Sequence, residues 1–367
     1  MRVLVIGGTG FIGPWVVRHL AGQGHTVALF HRGHTAADLS SAVSHIHGDR
    51  QNLTTFTSEF AGFGPDVVLD MFPYVEQEAA LLMQTFRGMA RRVVAVSSMD
   101  VYRAYGRFSR LEDGPPDLHP FTEEAPLRSA LYPYRASAQL ASDLAYNYEK
   151  ILVEQTVMGD AMLPGTVLRL PQVYGPGDPQ HRLFEFLKRM IDKRPIILLE
   201  EGRARWRWTR GYVENVAAAV ARAVTDDRAE RRIYNVGDKE AFTETEWVER
   251  IGNVAGWIGS IRVISGAALP AHLAAPYDWR HHLVADTSRI RKELAYEDSI
   301  PIDEALRRTV AWEYAHLPAQ VDHFRFDYPA EDAACAKTGA EPSGPANGSQ
   351  PIGSETNRTS SAAGSRR

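Results

Sequence analysis

The sequence predicts an α/β fold in which a doubly wound parallel sheet is followed by a smaller C-terminal lobe. Three observations support this prediction. Short apolar runs alternate with helical patterns through the first half of the chain, as in parallel sheets that are covered on both faces. A glycine-rich segment lies between the first apolar run and the first helical pattern. The length of 367 residues suits one large domain or two ordinary ones.

The first half of the chain supplies most of the predicted sheet. Its strand candidates are short, mostly apolar and rich in branched side chains, which indicates burial on both faces. The predicted strands span residues 3–6, 26–30, 45–47, 67–70, 93–97 and 166–170. The predicted helices span residues 13–22, 76–87, about 137–158, 184–190 and 213–224. This alternation is typical of a sheet with helices on both sides.

Three further segments define the predicted domain organisation. Residues 103–133 are rich in proline and show no period, which predicts an inserted surface loop. After about residue 175 the alternation loosens. We therefore expect a first domain over residues 1–175, a second lobe over 176–327 and a tail over 328–367. The tail is poor in apolar residues, which predicts disorder.

Composition limits the class of protein. Apolar residues make up 44% of the chain, and the net charge of −4 argues against a nucleic-acid partner. No apolar run approaches the roughly 18 residues that a membrane span requires. The single cysteine, Cys335, allows no internal disulfide, so we expect a cytoplasmic protein. The sequence leaves a homodimer open.

The segment GGTGFIG, which begins at Gly7, indicates a phosphate-binding turn. Gly7 permits a sharp turn, Gly10 lets the backbone approach a pyrophosphate, and Gly13 lets the next helix pack closely on the strand. The N–H groups of this turn, which includes Phe11 and Ile12, then face the phosphates together with the helix dipole. This context favours a Rossmann domain that binds NAD or NADP. A glycine-rich turn without a ligand is the alternative.

Further motifs follow the glycine segment in chain order. They are VSSMDVY at residues 96–102, YNYEK at 146–150, RLPQVYGPG at 169–177 and GYVENV at 211–216. Over about residues 2–315 the set resembles the extended short-chain dehydrogenase/reductases, that is, the NAD-dependent epimerase/dehydratase family, which includes nucleotide-sugar epimerases. The resemblance implies NAD(P)-dependent hydride transfer on a hydroxyl or carbonyl.

The end of the second predicted strand bears on the choice of cofactor. An acidic residue there would accept the ribose hydroxyls of NAD, but the chain has Arg32. A guanidinium suits the 2′-phosphate of NADP, and stacking on adenine or simple solvation is the alternative. Asp49 and Arg50 end the third strand and are included in the cofactor site. The resemblance implies that Asp49 contacts the adenine amino group, and a helix or turn cap is its alternative role.

Ser98, Tyr146 and Lys150 are the candidate catalytic residues. Tyr146 and Lys150 are four residues apart on a predicted helix, so they would share one face. A phenol with a pKa of about 10 is a poor base near neutral pH, and a nearby ammonium favours the phenolate. The resemblance implies that Lys150 also bonds the nicotinamide ribose and that Ser98 bonds the reacting oxygen. An ordinary exposed helix pair is the alternative for Tyr146 and Lys150.

The spacing of these residues departs from the family pattern. The interval from Ser98 to Tyr146 is about twice as long as the resemblance predicts, and the proline-rich insertion accounts for the excess. Tyr134 and Tyr148 are therefore competing tyrosines, although neither has a lysine four residues later.

The two residues after Ser98 bear on the reaction. Sugar dehydratases of the family carry an Asp-Glu pair there, whereas this chain has Met99 and Asp100. Methionine cannot exchange protons, so the sequence disfavours a dehydratase of that kind. Epimerisation or simple reduction remains.

Two arginines are candidate ligands for a substrate diphosphate. Arg207 lies in an aromatic and basic segment, and Arg280 precedes a histidine pair. Surface arginines are the alternative. No metal site is predicted, because adjacent histidines on a strand face opposite ways, and His45 and His47 lack an evident third ligand.

Three functions stay open from the sequence. The first is an epimerase or dehydrogenase that acts on a nucleotide sugar. The second is an NADP-dependent reductase of a non-sugar carbonyl, with the same site but no diphosphate grip. The third is a non-catalytic protein that binds NAD(P) as a scaffold or binds RNA. The acidic net charge argues against the third.

Overall fold

A computed structural model describes residues 1–34 and 39–337. Its strands are β1 (Arg2–Ile6), β2 (Thr26–His31), β3 (Ser44–His47), β4 (Val67–Asp70), β5 (Arg92–Ser98), β6 (Gly165–Leu170), β7 (Gln172–Tyr174), β8 (Ile196–Glu200), β9 (Arg210–Tyr212), β10 (Ile233–Asn235) and β11 (Ser260–Ile264). Its α-helices are α1 (Gly13–Gly22), α2 (Thr57–Phe63), α3 (Glu76–Phe86), α4 (Arg103–Phe108), α5 (Leu144–Asn147), α6 (Lys150–Gly159), α7 (Phe184–Ile191), α8 (Glu201–Arg205), α9 (Val213–Thr225), α10 (Glu244–Ala255), α11 (Ser288–Leu294), α12 (Ile302–Ala315) and α13 (Tyr328–Lys337).

Seven of these strands form one parallel sheet. Their order is β10-β6-β5-β4-β1-β2-β3, which runs outward from β1 in both directions and confirms the doubly wound α/β prediction. Ile6 pairs with both Phe30 and Asp70, and Ser98 pairs with Leu170. The carboxyl ends of the central strands therefore meet at one edge, where ligands bind in open α/β sheets.

Helices cover both faces of the sheet. Val3 and Val5 belong to the apolar core on the face where α1 and α9 pack together. Leu4 and Ile6 point the other way, into the core shared with α3 and α6. The alternation follows from the two-residue period of a strand, and it explains why β1 is apolar at every one of these positions.

One predicted helix is wrong. The sequence predicted a continuous helix over about residues 137–158, but the chain forms α5 and α6 with a break at Tyr148 and Glu149. Glu149 adopts extended backbone angles, and its carboxylate accepts a hydrogen bond from Ile151 N, which starts α6 at Lys150. The same carboxylate is buried against the Arg128 guanidinium at 2.8 Å. This long-range ion pair fixes the break.

The insertion is more than a surface loop, which corrects the prediction for residues 103–133. It begins with α4, and Phe121 is 4% exposed in a core cluster with Trp206 and Leu283. Phe121 N donates to Val284 O, and Phe121 O accepts from Asp286 N. The insertion therefore joins the main sheet to the later part of the chain.

The predicted tail divides into two parts. Residues Tyr328–Lys337 form α13, so the prediction of disorder is wrong for them. Glu331 holds this helix in place through a buried ion pair with Arg189 at 2.6 Å. The rest of the predicted tail, residues 338–367, lies outside the described residues.

The region after residue 175 contributes one strand to the main sheet and also forms a small sheet of its own. β10 pairs with β6 at the sheet edge, whereas β8 pairs with β11 in a second, two-stranded sheet.

Within residues 1–34 and 39–337, no helix combines the length and apolarity that crossing a bilayer requires. In the same part of the chain, no group of three or more His, Cys, Asp or Glu side chains is arranged to hold a metal ion.

Candidate active site

A cavity of about 560 Å³ opens at the carboxyl edge of the sheet beside the glycine segment. Several predicted cofactor residues line it: Gly7, Gly10, Arg32, Asp49 and Arg50. Phe11 and Ile12 are partly buried against the apolar core instead. The cavity thus lies where the sequence predicted a dinucleotide, and we call it the dinucleotide cavity.

The backbone at the cavity floor requires glycine. Gly7 has a φ of +80°, a conformation that other residues rarely adopt. A Cβ at Gly13 would lie 2.5 Å from the Gly8 carbonyl, so α1 can approach the turn this closely only without a side chain. The Phe72 ring covers the turn, 3.3 Å from where a Gly10 Cβ would stand. These observations fit a pyrophosphate cradle.

The three polar residues predicted to lie at the adenosine end differ in their surroundings. Arg32 is exposed at the cavity rim. Asp49 accepts a hydrogen bond from Gln51 N at 2.9 Å, which is the capping role that the sequence offered as its alternative. Arg50 donates two hydrogen bonds to Asp70, at 2.8 and 3.1 Å. Arg50 thus shapes the cavity wall while Arg32 faces solvent.

Lys150 is 3% exposed at the start of α6. Its Nζ donates to the carbonyl oxygens of Pro73 and Val96, both at 2.9 Å. Burial lowers the pKa of Lys150 to about 8, although the charges of Asp70 and Asp100 act in the opposite direction. An ammonium has three protons to donate, and these two carbonyl oxygens accept two of them.

Ser98 ends β5 as predicted, and the tyrosine beside it is Tyr148. Ser98 Oγ accepts a hydrogen bond from Asp100 N at 3.2 Å, and Lys150 Nζ lies 5.8 Å from the centre of the Tyr148 ring. The hydroxyls of Tyr134 and Tyr148 both donate to Asp100 Oδ2 at 2.9 Å. Ser98, Lys150 and two phenols therefore meet at the sheet edge.

Tyr146 has a different setting. It lies in α5 and is only partly buried, on the far side of the helix break from Lys150. The Arg135 guanidinium carbon stands 4.7 Å from the centre of its ring, and Arg135 Nε donates to Tyr146 O. The predicted shared helix face of Tyr146 and Lys150 does not form.

Residues 3–237 match the model of the NAD dependent epimerase/dehydratase family. The chain belongs to this family. Within this epimerase/dehydratase family, 2'-dehydrokanamycin reductase of Streptomyces kanamyceticus is 28% identical over 296 residues, which cover 79% of this chain and 75% of that protein. The chloroplast stem-loop binding protein of 41 kDa b of Arabidopsis thaliana is 24% identical over 255 residues, covering 66% of this chain and 60% of that protein.

Solved structures share the architecture of this family member. The UDP-glucose 4-epimerase of Thermotoga maritima, crystallised with UDP-glucose, superposes with a TM-score of 0.64 at 17% identity. The match covers 87% of this chain and 100% of that chain. The likeness shows a common fold.

A second cavity, of about 360 Å³, is lined by nine aromatic rings together with charged and small side chains. They belong to Tyr105, Phe108, Phe186, Trp206, Trp208, Trp247, Tyr277, Trp279 and Phe326. We call it the aromatic cavity. Because the hydroxyl oxygens of Tyr105 and Tyr134 lie 3.0 Å apart, the cavity is connected to the Ser98 region by neighbouring phenols.

Three of the four arginines that line the aromatic cavity, Arg182, Arg203 and Arg210, are paired with carboxylates. Arg203 contacts Glu185 at 2.8 Å and Glu244 at 3.0 Å. Arg210 donates to Glu244 at 2.5 Å. The Arg203 guanidinium and other arginines lower the pKa of Glu185 to about 2 against the effect of burial. The positive charge available to an anionic ligand is correspondingly reduced.

The two predicted diphosphate arginines do not line this cavity. Arg207 is 42% exposed and lies 3.5 Å from Glu246. Arg280 is 72% exposed and pairs with Asp278. Their environments match the surface alternative, while their contact with substrate stays a prediction.

Sequence reasoning missed several residues around the site. Phe72 and Tyr74 follow β4 and line the dinucleotide cavity, and Lys150 Nζ lies 4.9 Å from the centre of the Tyr74 ring. Their position just after a central strand could have indicated a role at the site, since ligands bind at the carboxyl ends of such strands. The aromatic cavity gave no such signal, because its residues are scattered from Tyr105 to Phe326.

Proposed function

We propose that this chain is an NAD(P)-dependent oxidoreductase or epimerase that transfers a hydride to or from a hydroxyl or carbonyl carbon of a nucleotide sugar. The observation that carries the proposal is the meeting of Ser98, Lys150 and Tyr148 at the end of β5. Tyr74, which lines the dinucleotide cavity, contacts both Lys150 and Tyr148. A bound nicotinamide would accept or return the hydride. The chain's own residues would then orient the substrate and move its proton.

Each residue has a role that its contacts support. The glycine turn would hold the pyrophosphate, and Lys150 would donate its remaining proton to the nicotinamide ribose. Ser98, partly exposed at the strand end, would donate to the reacting oxygen. We assign the acid–base phenol to Tyr148 rather than Tyr146, because Tyr148 donates to Asp100, whose backbone N–H is bonded to Ser98. The Phe108 and Trp206 rings of the aromatic cavity would pack against the substrate.

A reductase of a carbonyl compound without a diphosphate is the second candidate. The pairing of Arg203 and Arg210 with Glu185 and Glu244 favours it, because paired arginines attract a diphosphate less. One similar protein, 2'-dehydrokanamycin reductase, is named for a substrate of this kind. In this case NADPH would be consumed in each turnover.

Two assays test the proposal and separate its branches. Native mass spectrometry of the purified protein identifies any dinucleotide that stays bound. Turnover is then measured with UDP-glucose and NAD(P)⁺, and with 2'-dehydrokanamycin and NAD(P)H. Retained NAD with UDP-glucose conversion supports the first function, and NADPH consumption with the ketone supports the second. No dinucleotide binding under any condition contradicts both.

A further inference from the structure

We infer that Asp100 is the proton acceptor and donor for hydride transfer, reached from the substrate through the Tyr148 hydroxyl, and that Tyr134 and Tyr105 link it to the aromatic cavity. This inference rests on the proposed function. It makes a carboxylate, instead of a tyrosinate, the group that accepts the substrate proton and returns it.

Asp100 has the surroundings of a group that exchanges protons. It follows β5 directly and is 5% exposed. Its Oδ2 accepts from both phenols at 2.9 Å, while its Oδ1 is buried with no hydrogen-bond partner among the described residues. A buried carboxylate with an unpaired oxygen is unfavourable when ionised. Protonation relieves that cost.

Two cations, Arg128 and Lys150, and a further phenol, Tyr105, lie near Asp100. Arg128 Nε donates to the backbone oxygen of Asp100 at 2.6 Å, and Lys150 acts on its charge from α6. Burial raises the pKa of the Asp100 carboxyl, while Arg128, the two phenols and Lys150 act in the opposite direction. Burial raises the pKa of Tyr105 in α4, and the Asp100 charge raises it further.

The phenols around Asp100 are poor candidates for stable tyrosinates. Burial, followed by the charge of Asp100, raises the pKa of both Tyr134 and Tyr148 well above the usual phenol value. A phenol that keeps its proton can still pass one along, because its oxygen can accept from one side while its O–H donates to the other. The Tyr148 O–H donates to Asp100 Oδ2 at 2.9 Å, as the second transfer of such a relay requires.

The proton balance is complete in both directions. In oxidation the substrate C–H bond breaks, and the hydride goes to the oxidised nicotinamide. The substrate O–H proton passes to the Tyr148 oxygen while the Tyr148 proton passes to Asp100 Oδ2, and the C=O bond forms. Asp100 ends neutral and Tyr148 ends as a phenol. Reduction reverses each transfer.

Asp100 can then exchange its proton without opening the dinucleotide cavity. Tyr134 Oη lies 3.0 Å from Tyr105 Oη, and Tyr105 lines the aromatic cavity. Because a chain of hydroxyls can conduct a proton by successive transfers, this pair connects the buried carboxyl to the cavity.

Asp100→Asn tests the inference by activity. The amide keeps the shape but cannot accept a proton, so we expect turnover of whichever probe is active, UDP-glucose or 2'-dehydrokanamycin, to fall about a hundredfold or more. In the oxidation direction the wild-type rate should rise with pH as Asp100 ionises, and the variant should lack this rise. Tyr134→Phe removes a bond that stabilises the carboxylate, so the rise should move to higher pH. Tyr314→Phe, on the surface of α12, is the control.

Carbon-13 NMR of protein labelled at the aspartate carboxyls tests the same coupling without any substrate, with Asp100→Asn giving the assignment. We expect Asp100 to titrate above the usual aspartate range and to move further up in Tyr148→Phe but not in Tyr314→Phe. A normal titration that Tyr148→Phe leaves unchanged overturns the relay. Asp100→Asn with wild-type rate and pH profile overturns it too. A wild-type protein inactive on both probes is instead a failure of the proposed function, and the NMR result still decides the relay.

Discussion

Lys150 combines burial with a charge that a ligand can use. Its Nζ is fixed by Pro73 O and Val96 O, so its position does not depend on cofactor. Lysine is suited to this role because its pKa shifts readily on burial. The residues that bear on that pKa most, after burial, are Asp70, Asp100, Arg50 and Glu154.

Dinucleotide affinity should therefore depend on pH through Lys150. Because the pKa of Lys150 is lowered to about 8, the ammonium is present below that pH and is lost above it. We expect affinity to fall as pH rises through about 8, as measured by calorimetry at a series of pH values. Lys150→Met should bind more weakly at neutral pH and lose this dependence. Exposed Lys292→Met should keep it, and a pH-independent wild type would refute the role of the ammonium.

Cofactor choice should depend on Arg32. Arg32→Asp places a negative charge where a 2′-phosphate would be held, so NADP binding should weaken by roughly 1–3 kcal/mol, the range for a charge-assisted hydrogen bond. NAD binding should be preserved. The measurement is calorimetry with each cofactor. Equal losses for both cofactors would mean that Arg32 has only a structural role.

At the scale of elements, the β1–turn–α1 unit carries the cofactor hypothesis. α1 begins at Gly13 with Pro14 in its first turn, where the missing N–H has little effect. Val16, Val17 and Leu20 then bury one face of α1. The turn is thus anchored by β1 on one side and by the buried face of α1 on the other before any ligand binds.

A side chain in this turn should abolish binding without unfolding the protein. Gly10→Val would place a branched side chain against Phe72 and in the space predicted for the pyrophosphate. We expect calorimetry to detect no binding of either dinucleotide. Gly22→Val is the matched control, since a Cβ there meets nothing within 4 Å. Wild-type affinity in Gly10→Val would contradict the assignment of this turn.

The elements also show how far local patterns reach. The β1–α1 unit and β4 were predictable from the sequence because their turn glycines and apolar periods are local. The break between α5 and α6 was not, because it depends on the buried pairing of Glu149 with Arg128, 21 residues away along the chain. That break decides which tyrosine contacts Asp100 beside Ser98.

At the scale of the whole molecule, the substrate side is assembled from distant segments. The insertion supplies Tyr105 and Phe108, and later segments supply Trp206 and Trp279. The rings of Phe108 and Trp206 stack 4.8 Å apart. No periodicity in the sequence reflects such contacts, so the aromatic cavity could not be predicted. The fold and the glycine turn could be, because their patterns are local.

The most direct test of hydride transfer at the carboxyl edge is transfer of deuterium from nicotinamide to product. The protein is incubated with NAD(P)H deuterated at the reactive nicotinamide carbon and with 2'-dehydrokanamycin or the ketone formed from the UDP-glucose probe, and the product is analysed by mass spectrometry. We predict a product heavier by one deuterium with the wild type, formed about a hundredfold or more slowly by Tyr148→Phe. Unlabelled product, or labelled product at the wild-type rate from Tyr148→Phe, would contradict a hydride-transfer centre at Ser98, Tyr148 and Lys150.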